Sequence, residues 1–308
     1  MIRSIAFLSL TGLLVAIASQ IKNLPVAVSS STSKPEAQPL INQRQDAYVS
    51  RLSTYTRSIS VKVMLEDSWG SGILIQRRGS VYTVLTNEHV LYGGKQYRIQ
   101  THDGHIYSAF EYKAISFKGK DLALLQFHSP NSVYPVAFFS KNATLVTGEE
   151  VFAGGFPFGT DSQSKGFKFT EGKVSLLIDK SFNGGYQVGY TNAIEKGMSG
   201  GPVVNRHGEV VAINGIHAYP IWGDPYVFED GYKPCQPLHQ LIVESSWAIP
   251  IETLIELIPK SFAIANSDSK QSQHPFLISQ TSSSLDNSPK ITSELRTRAE
   301  AAKSCKGN

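Results

Sequence analysis

The chain has 308 residues, of which 41% are hydrophobic, and a formal net charge of +4. That length supports one large or two medium domains with a substantial core. The modest charge gives no reason to expect a nucleic-acid partner, and neither a phosphate-binding glycine motif nor a dinucleotide fingerprint is present, so no cofactor is expected.

At the N-terminus, Arg3 precedes an apolar run from Ile5 to Ala18, and Ala16-Ile17-Ala18 offers small residues where a signal peptidase cuts. Residues 1–18 are expected to be a signal peptide that exports the chain to a periplasmic or extracellular space. The run is short for a permanent membrane span, and the alternative is an uncleaved anchor. Residues 19–45, rich in Ser, Thr and Pro, read as a flexible linker. Ile41, Tyr48, Leu52 and Tyr55 fall at roughly helical spacing, which predicts a short helix between Leu40 and Arg57 that packs on the body of the protein.

The body, residues 46–260, is strand-rich. Ile59-Val61-Val63 alternate with polar residues, and Ile73–Gln76, Val81–Thr86, Tyr97–Gln100, Ile106–Ala109 and Leu122–Phe127 continue the series. A second set starts at Glu150 and takes in Lys173–Ile178, Tyr186–Tyr190, Pro202–Asn205 and Val210–Asn214. Short strands separated by turn signals indicate an all-β sandwich or barrel architecture. Between Ala218 and Ser246 lies a Pro-rich insertion with Trp222, Tyr226, Phe228 and Tyr232, either a local aromatic cluster or a lid. His102-Asp103-Gly104-His105 contains metal-binding residue types, but Asp-Gly marks a hairpin turn and no metal site is expected. Residues 261–308 form a polar tail expected to be disordered. The two cysteines, Cys235 and Cys305, are expected to be unpaired or loosely paired.

Three segments carry chemistry. Gly197-Met198-Ser199-Gly200-Gly201-Pro202 places a serine between small residues, where backbone N–H groups can approach a substrate. A serine hydroxyl needs a base to become a nucleophile. His89 follows the Val81–Thr86 strand, and its side chain suits proton exchange near neutral pH. Asp121 precedes the apolar strand beginning at Leu122 and is placed to orient an imidazole.

Thr-Asn-Glu-His-Val, Lys-Asp-Leu-Ala-Leu-Leu and Gly-Met-Ser-Gly-Gly-Pro-Val resemble, in His, Asp, Ser order, the catalytic blocks of chymotrypsin-fold serine proteases. Within that family the pattern is similar to the bacterial HtrA/Deg-type proteases. Trp69-Gly70-Ser71-Gly72, Ala153-Gly154-Gly155-Phe156-Pro157-Phe158-Gly159 and Trp247-Ala248-Ile249-Pro250-Ile251 resemble further segments of theirs, so the likeness runs over roughly residues 56–260. The resemblance implies two packed antiparallel six-stranded β-barrels, about 56–140 and 145–250, with a short N-terminal and a C-terminal helix. His89 and Asp121 would lie in the first barrel and Ser199 in the second. HtrA-type proteases carry a PDZ domain after the protease domain, which residues 261–308 are not expected to form.

By the same resemblance, Gly197 and Ser199 supply the backbone oxyanion hole, and Ala193, Asn214, Gly215, Ile216 and His217 line the substrate pocket. Met198 departs from the Asp or Asn of relatives and cannot pair with a newly freed N-terminal amine, which rules out activation by N-terminal insertion. Ala193 stands where trypsin-like enzymes place the acid that reads Lys or Arg. The expected activity is therefore an exported serine endopeptidase acting on protein or peptide substrates, with small or medium apolar P1 residues. A weakly catalytic peptide-binding or chaperone-like protein, and a glutamyl-type endopeptidase on the strength of His217, stay open as alternatives.

Overall fold

A computed structural model describes residues 37–139, 145–159, 166–221 and 223–262, with side chains from residue 43 onward. The expected signal segment, most of the linker, the tail, Trp222 and Cys305 lie outside the described residues. The chain divides into two units between Gln43 and Arg44, and all the strands belong to the second.

That helix, α1, spans Ala37–Ile59. It begins inside the stretch expected to be linker, because Pro39 falls in its first turn, where a missing N–H costs no hydrogen bond, and no glycine follows. Leu52, Tyr55, Thr56 and Ile59 are buried, the 3–4 residue spacing of a single helix face.

Twelve strands follow among the described residues. β1 (Ser60–Met64), β2 (Trp69–Arg78), β3 (Val81–Thr86), β4 (Tyr97–Gln100), β5 (Ile106–Glu111) and β6 (Ala123–His128) close one antiparallel barrel in the order β1-β2-β3-β6-β5-β4. β7 (Glu150–Gly155), β8 (Lys168–Phe182), β9 (Tyr186–Tyr190), β10 (Pro202–Val204), β11 (Val210–Ile216) and β12 (Ser246–Pro250) close a second in the equivalent order β7-β8-β9-β12-β11-β10. The protein is thus all-β in its core, two six-stranded barrels built on one wiring plan, as the chymotrypsin-like resemblance implied.

Strand alternation explains why several of these segments are apolar throughout. On β6 and the residue before it, Ala123, Leu125 and Phe127 fill the first barrel, while Leu122 and Leu124 point the other way, into a larger core shared with the second barrel. On β11 a register shift against β10 at Val211 interrupts the alternation, so Val211 and Ala212 both fill the second barrel, while Val210, Ile213 and Ile216 join the shared core. The apolar face of α1 enters this shared core through Leu52, Tyr55 and Ile59. Each such side chain contributes about 1.5–3 kcal/mol of burial, which fixes the two barrels against each other and sets the geometry of the groove between them.

Among the described residues two further short helices occur, α2 (Gln236–Val243) and α3 (Ile251–Leu257), the latter at the C-terminal end of the body, where a helix was expected. α2 lies in the 218–246 insertion, where Pro237 in its first turn is a start signal. Two of the insertion's aromatics, Tyr226 and Phe228, pack in a cluster, whereas Tyr232 is exposed. Tyr226 is wholly buried and Phe228 lies 5.0 Å from Phe182, whose ring also meets Trp247 edge-on at 5.0 Å. Cys235 is disulfide-bonded, where the sequence led to an expectation of unpaired or loosely paired thiols.

Candidate active site

His89 sits in a 3-10 turn, Glu88–Leu91, directly after β3, and Asp121 precedes β6, the strand paired with β3 along its whole length. The pairing carries the two side chains together. His89 Nδ1 lies 2.6 Å from Asp121 Oδ2, and the His89 backbone N–H donates to Asp121 Oδ1 at 2.8 Å. Asn87 adds a bond from its side-chain amide to the Asp121 carbonyl at 2.8 Å. Burial by itself raises the Asp121 pKa, but the hydrogen bonds and charge of His89 and a hydrogen bond from Tyr186 outweigh it and hold the carboxyl below its ordinary value. The carboxylate therefore stays ionised near neutral pH, and the imidazole is held with Nδ1 as donor and Nε2 facing outward.

Ser199 belongs to the second barrel, on the turn before β10. Its hydroxyl donates to the Gly215 carbonyl at 3.0 Å; among the described residues it makes no hydrogen bond to His89. Gly215 occupies a register shift between β11 and β12, which leaves its carbonyl free to accept.

The loop before Ser199 presents two backbone donors. Lys196 turns its carbonyl away, accepting the Phe158 N–H at 2.9 Å. Because the Lys196–Gly197 peptide is planar and trans, the Gly197 N–H points the opposite way. Among the described residues neither this N–H nor that of Ser199 finds an acceptor. Gly197 adopts φ +95°, and a Cβ there would come within 2.6 Å of the Phe156 carbonyl and 2.7 Å of Phe158 Cδ2, so only glycine fits.

Five residues brace this loop. Ser71 donates its hydroxyl to the Gly197 carbonyl at 2.8 Å, accepts the Phe156 N–H at 2.8 Å, and sends its own N–H to the Ser199 carbonyl at 2.8 Å. Met198 is wholly buried inside the second barrel, so the residue that departs from relatives packs beneath the loop. Phe158 stacks on Trp69 at 3.9 Å between ring centres, and Lys62 covers the Trp69 ring at 3.7 Å. Trp69 in turn donates its indole N–H to the Phe156 carbonyl at 2.9 Å.

Residues 70–213 match the family described as "Trypsin-like peptidase domain". This stretch is similar to trypsin-like peptidase domains. The fold agrees with the solved structure titled "HtrA-type protease AlgW with tripeptide", at a TM-score of 0.51 and 23% identity over 68% of this chain and 61% of that one. In sequence, the chain is 33% identical to the serine protease Do-like HtrA of Bacillus subtilis over 49% of its own length and 34% of that protein's. It is 34% identical to a probable periplasmic do/HhoA-like serine protease of Haemophilus influenzae, over 50% of its length and 32% of that protein's. It is 30% identical to the periplasmic endoprotease DegQ of Escherichia coli, over 63% and 45% respectively. The chain thus spans between about a third and just under half the length of these relatives.

Around the groove of the trypsin-like domain, the expected pocket residues separate. Ala193 is exposed and His217 half-buried, its Nδ1 bonded to the Ala218 carbonyl at 2.8 Å. Gly215 and Ile216 are buried at the start of the same wall. Asn214 does not line a pocket. Its side chain is 0% exposed, accepts from Tyr190 at 2.8 Å and donates to the Gly154 carbonyl at 3.0 Å, bracing β7 and the Ser199 turn. Asn214 lies one residue before the bulge, so its side chain points into the second barrel. Glu195 is paired with Lys168 at 2.5 Å. Asp103 and His105, singled out by residue type, close the β4–β5 hairpin: Thr101 and Tyr134 donate to Asp103, and His105 Nδ1 lies 2.9 Å from it.

Ser71 and Tyr186 were missed by sequence reasoning. Ser71 had a faint signal, a polar residue between two glycines just before the apolar run Ile73–Ile75. Tyr186 had none, since tyrosine is an ordinary strand residue.

Proposed function

We propose that the trypsin-like domain is a serine endopeptidase that cleaves proteins or peptides through an acyl-enzyme on Ser199. The observation that carries this reading is the His89–Asp121 couple at 2.6 Å together with two unused N–H donors beside a serine. In the reaction the Ser199 hydroxyl turns from the Gly215 carbonyl to His89 Nε2, loses its proton there and attacks the scissile carbonyl. The developing oxyanion is received by the N–H groups of Gly197 and Ser199. His89 then returns the proton to the departing amine, and water repeats the sequence to release the acid. Asp121 keeps the imidazole in the productive tautomer and stabilises its cation. No cofactor enters any step.

The substrate residue before the scissile bond is small or medium and apolar. Ala193 offers no carboxylate, and the nearby Glu195 carboxylate is neutralised by Lys168, which removes the means of recruiting a cation. The protein acts after export, in keeping with the Ile5–Ala18 segment and with relatives from Haemophilus influenzae and Escherichia coli named as periplasmic.

A second reading follows from the Ser199 hydroxyl resting on Gly215: a domain that holds peptides with little turnover until that hydroxyl is released. Degradation of unfolded casein by wild type, Ser199→Ala and His89→Ala separates the two. Endopeptidase action predicts cleavage by wild type alone. Folded wild type that binds casein and leaves it intact supports the peptide-holding reading and overturns the first.

A further inference from the structure

Asp121 is gripped from both barrels. From the first come the two His89 bonds. From the second comes the tip of the β8–β9 hairpin, where the Gly184 carbonyl accepts the Asp121 N–H at 2.9 Å and the Tyr186 phenol donates to Asp121 Oδ2. The hairpin tip is itself tied down: Asn183 donates to the Val227 carbonyl at 2.8 Å and Glu229 to that of Ser181 at 3.0 Å, and Lys120 pairs with Glu229 at 2.5 Å.

The Tyr186 ring lies where a side chain at position 215 would be. A Cβ built on Gly215 overlaps Tyr186 Cε1 and comes within 2.5 Å of its phenol oxygen. Gly215 therefore has two properties that share one cause: it accepts from Ser199, and it yields its side-chain space to the tyrosine that reaches Asp121.

We infer that Tyr186 is a positioning residue for Asp121, its phenol fixing the carboxylate plane so that both oxygens engage His89, and that Gly215 is glycine to admit this ring. The inference rests on the proposed roles of His89, Asp121 and Ser199. A carboxylate held only by His89 can twist about its Cβ–Cγ bond; a third donor on Oδ2, coming from the opposite barrel, opposes that twist. The phenol is a constant donor, because burial and then the neighbouring Asp121 charge push its pKa well above the ordinary value. Tyr186 is 4% exposed, so the bond is made away from water, where a hydrogen bond to a charged group is worth most. It also makes the site depend on the docking of the two barrels: a displaced hairpin frees Asp121 without touching His89 or Ser199.

The test is Tyr186→Phe, which keeps the ring and removes the hydroxyl. The expected result is a fall in kcat on a peptide substrate of about 10- to 100-fold, the loss of one hydrogen bond to a charged group, with KM within about twofold. In parallel, the Asp121 carboxyl is titrated by 13C NMR. Its pKa should rise in Tyr186→Phe, since a donor to the ionised form has gone. Gly215→Ser alone should lose activity through the clash, whereas Tyr186→Ala with Gly215→Ser should recover part of it, the new hydroxyl occupying the place of the phenol. Wild-type kcat together with an unmoved Asp121 titration in Tyr186→Phe overturns the inference. If wild type itself fails to cleave, the endopeptidase reading falls, and the Asp121 titration alone still decides whether Tyr186 holds the carboxylate.

Discussion

Ser71→Ala tests how the Ser199 loop is held. The Ser71 side chain is 0% exposed and its hydroxyl makes two bonds of 2.8 Å, to the Gly197 carbonyl and from the Phe156 N–H. Alanine leaves both backbone groups buried without a partner, and the space of one oxygen atom is too small for a replacing water. An orphaned buried group costs about 1–3 kcal/mol, so the pair costs about 2–4 kcal/mol once the loop relaxes. For a domain of this size a loss of that order lowers Tm by about 5–15 °C. The catalytic effect should be smaller than that of a lost oxyanion donor, about 10²–10³-fold, because the Phe158 N–H still fixes the Lys196–Gly197 peptide. A fall in kcat of about 10- to 50-fold with little change in KM is expected. Differential scanning fluorimetry and steady-state peptide hydrolysis measure the two quantities. Ser71→Ala with Tm within about 1 °C of wild type and unchanged kcat would refute the bracing described here.

Gly197→Ala should lower kcat by about 10²–10³-fold while the protein stays folded, since a Cβ meets the Phe156 carbonyl at 2.6 Å and the peptide must leave its donor orientation; wild-type activity would contradict this. Asp103 should contribute to acid stability. Burial raises its pKa, but hydrogen bonds from Thr101, His105 and Tyr134 hold it well below the ordinary carboxylate value. Its stabilisation is therefore full above its unfolded pKa of about 3.9 and is lost as pH falls toward the lower folded value. Melting curves for Asp103→Asn should show a shallower loss of Tm below about pH 4 than wild type, and parallel profiles would dispose of the idea. In a peptide library the cleavage sites should follow small or medium apolar residues; dominant cleavage after Arg or after Glu would sink the proposed pocket chemistry.

The fold and the candidate triad were legible because their signals are local. β6 and the residue before it announce themselves by the apolar run Leu122 to Leu125 and Phe127, which buries on alternating faces, and Asp121 stands directly before that run. His89 likewise follows β3, and antiparallel pairing of β3 with β6 brings the two together. What the sequence hid are contacts whose partners lie far along the chain. Tyr186 reaches Asp121 across 65 residues and Ser71 reaches Gly197 across 126, and neither residue type advertises such a role. The resemblance implied Asn214 in the pocket wall beside Ile216 and His217, but its side chain is wholly buried. The bulge at Gly215 separates them, and a one-residue change of facing is beyond a pattern of apolar residues. α2 was overlooked because four prolines made the insertion look irregular, although Pro237 marks a helix start. Met198 cannot make the ion pair of an Asp at that position, and its burial in the second barrel supports the loop by packing instead.

The most direct measurement is covalent labelling. Full-length wild type is treated with a fluorophosphonate, digested, and the adduct located by mass spectrometry. The proposed chemistry predicts one adduct per chain, on Ser199, lost in Ser199→Ala and slowed at least about 10²-fold in His89→Ala. A folded wild type that takes up no label, or takes it up on another residue, would contradict it.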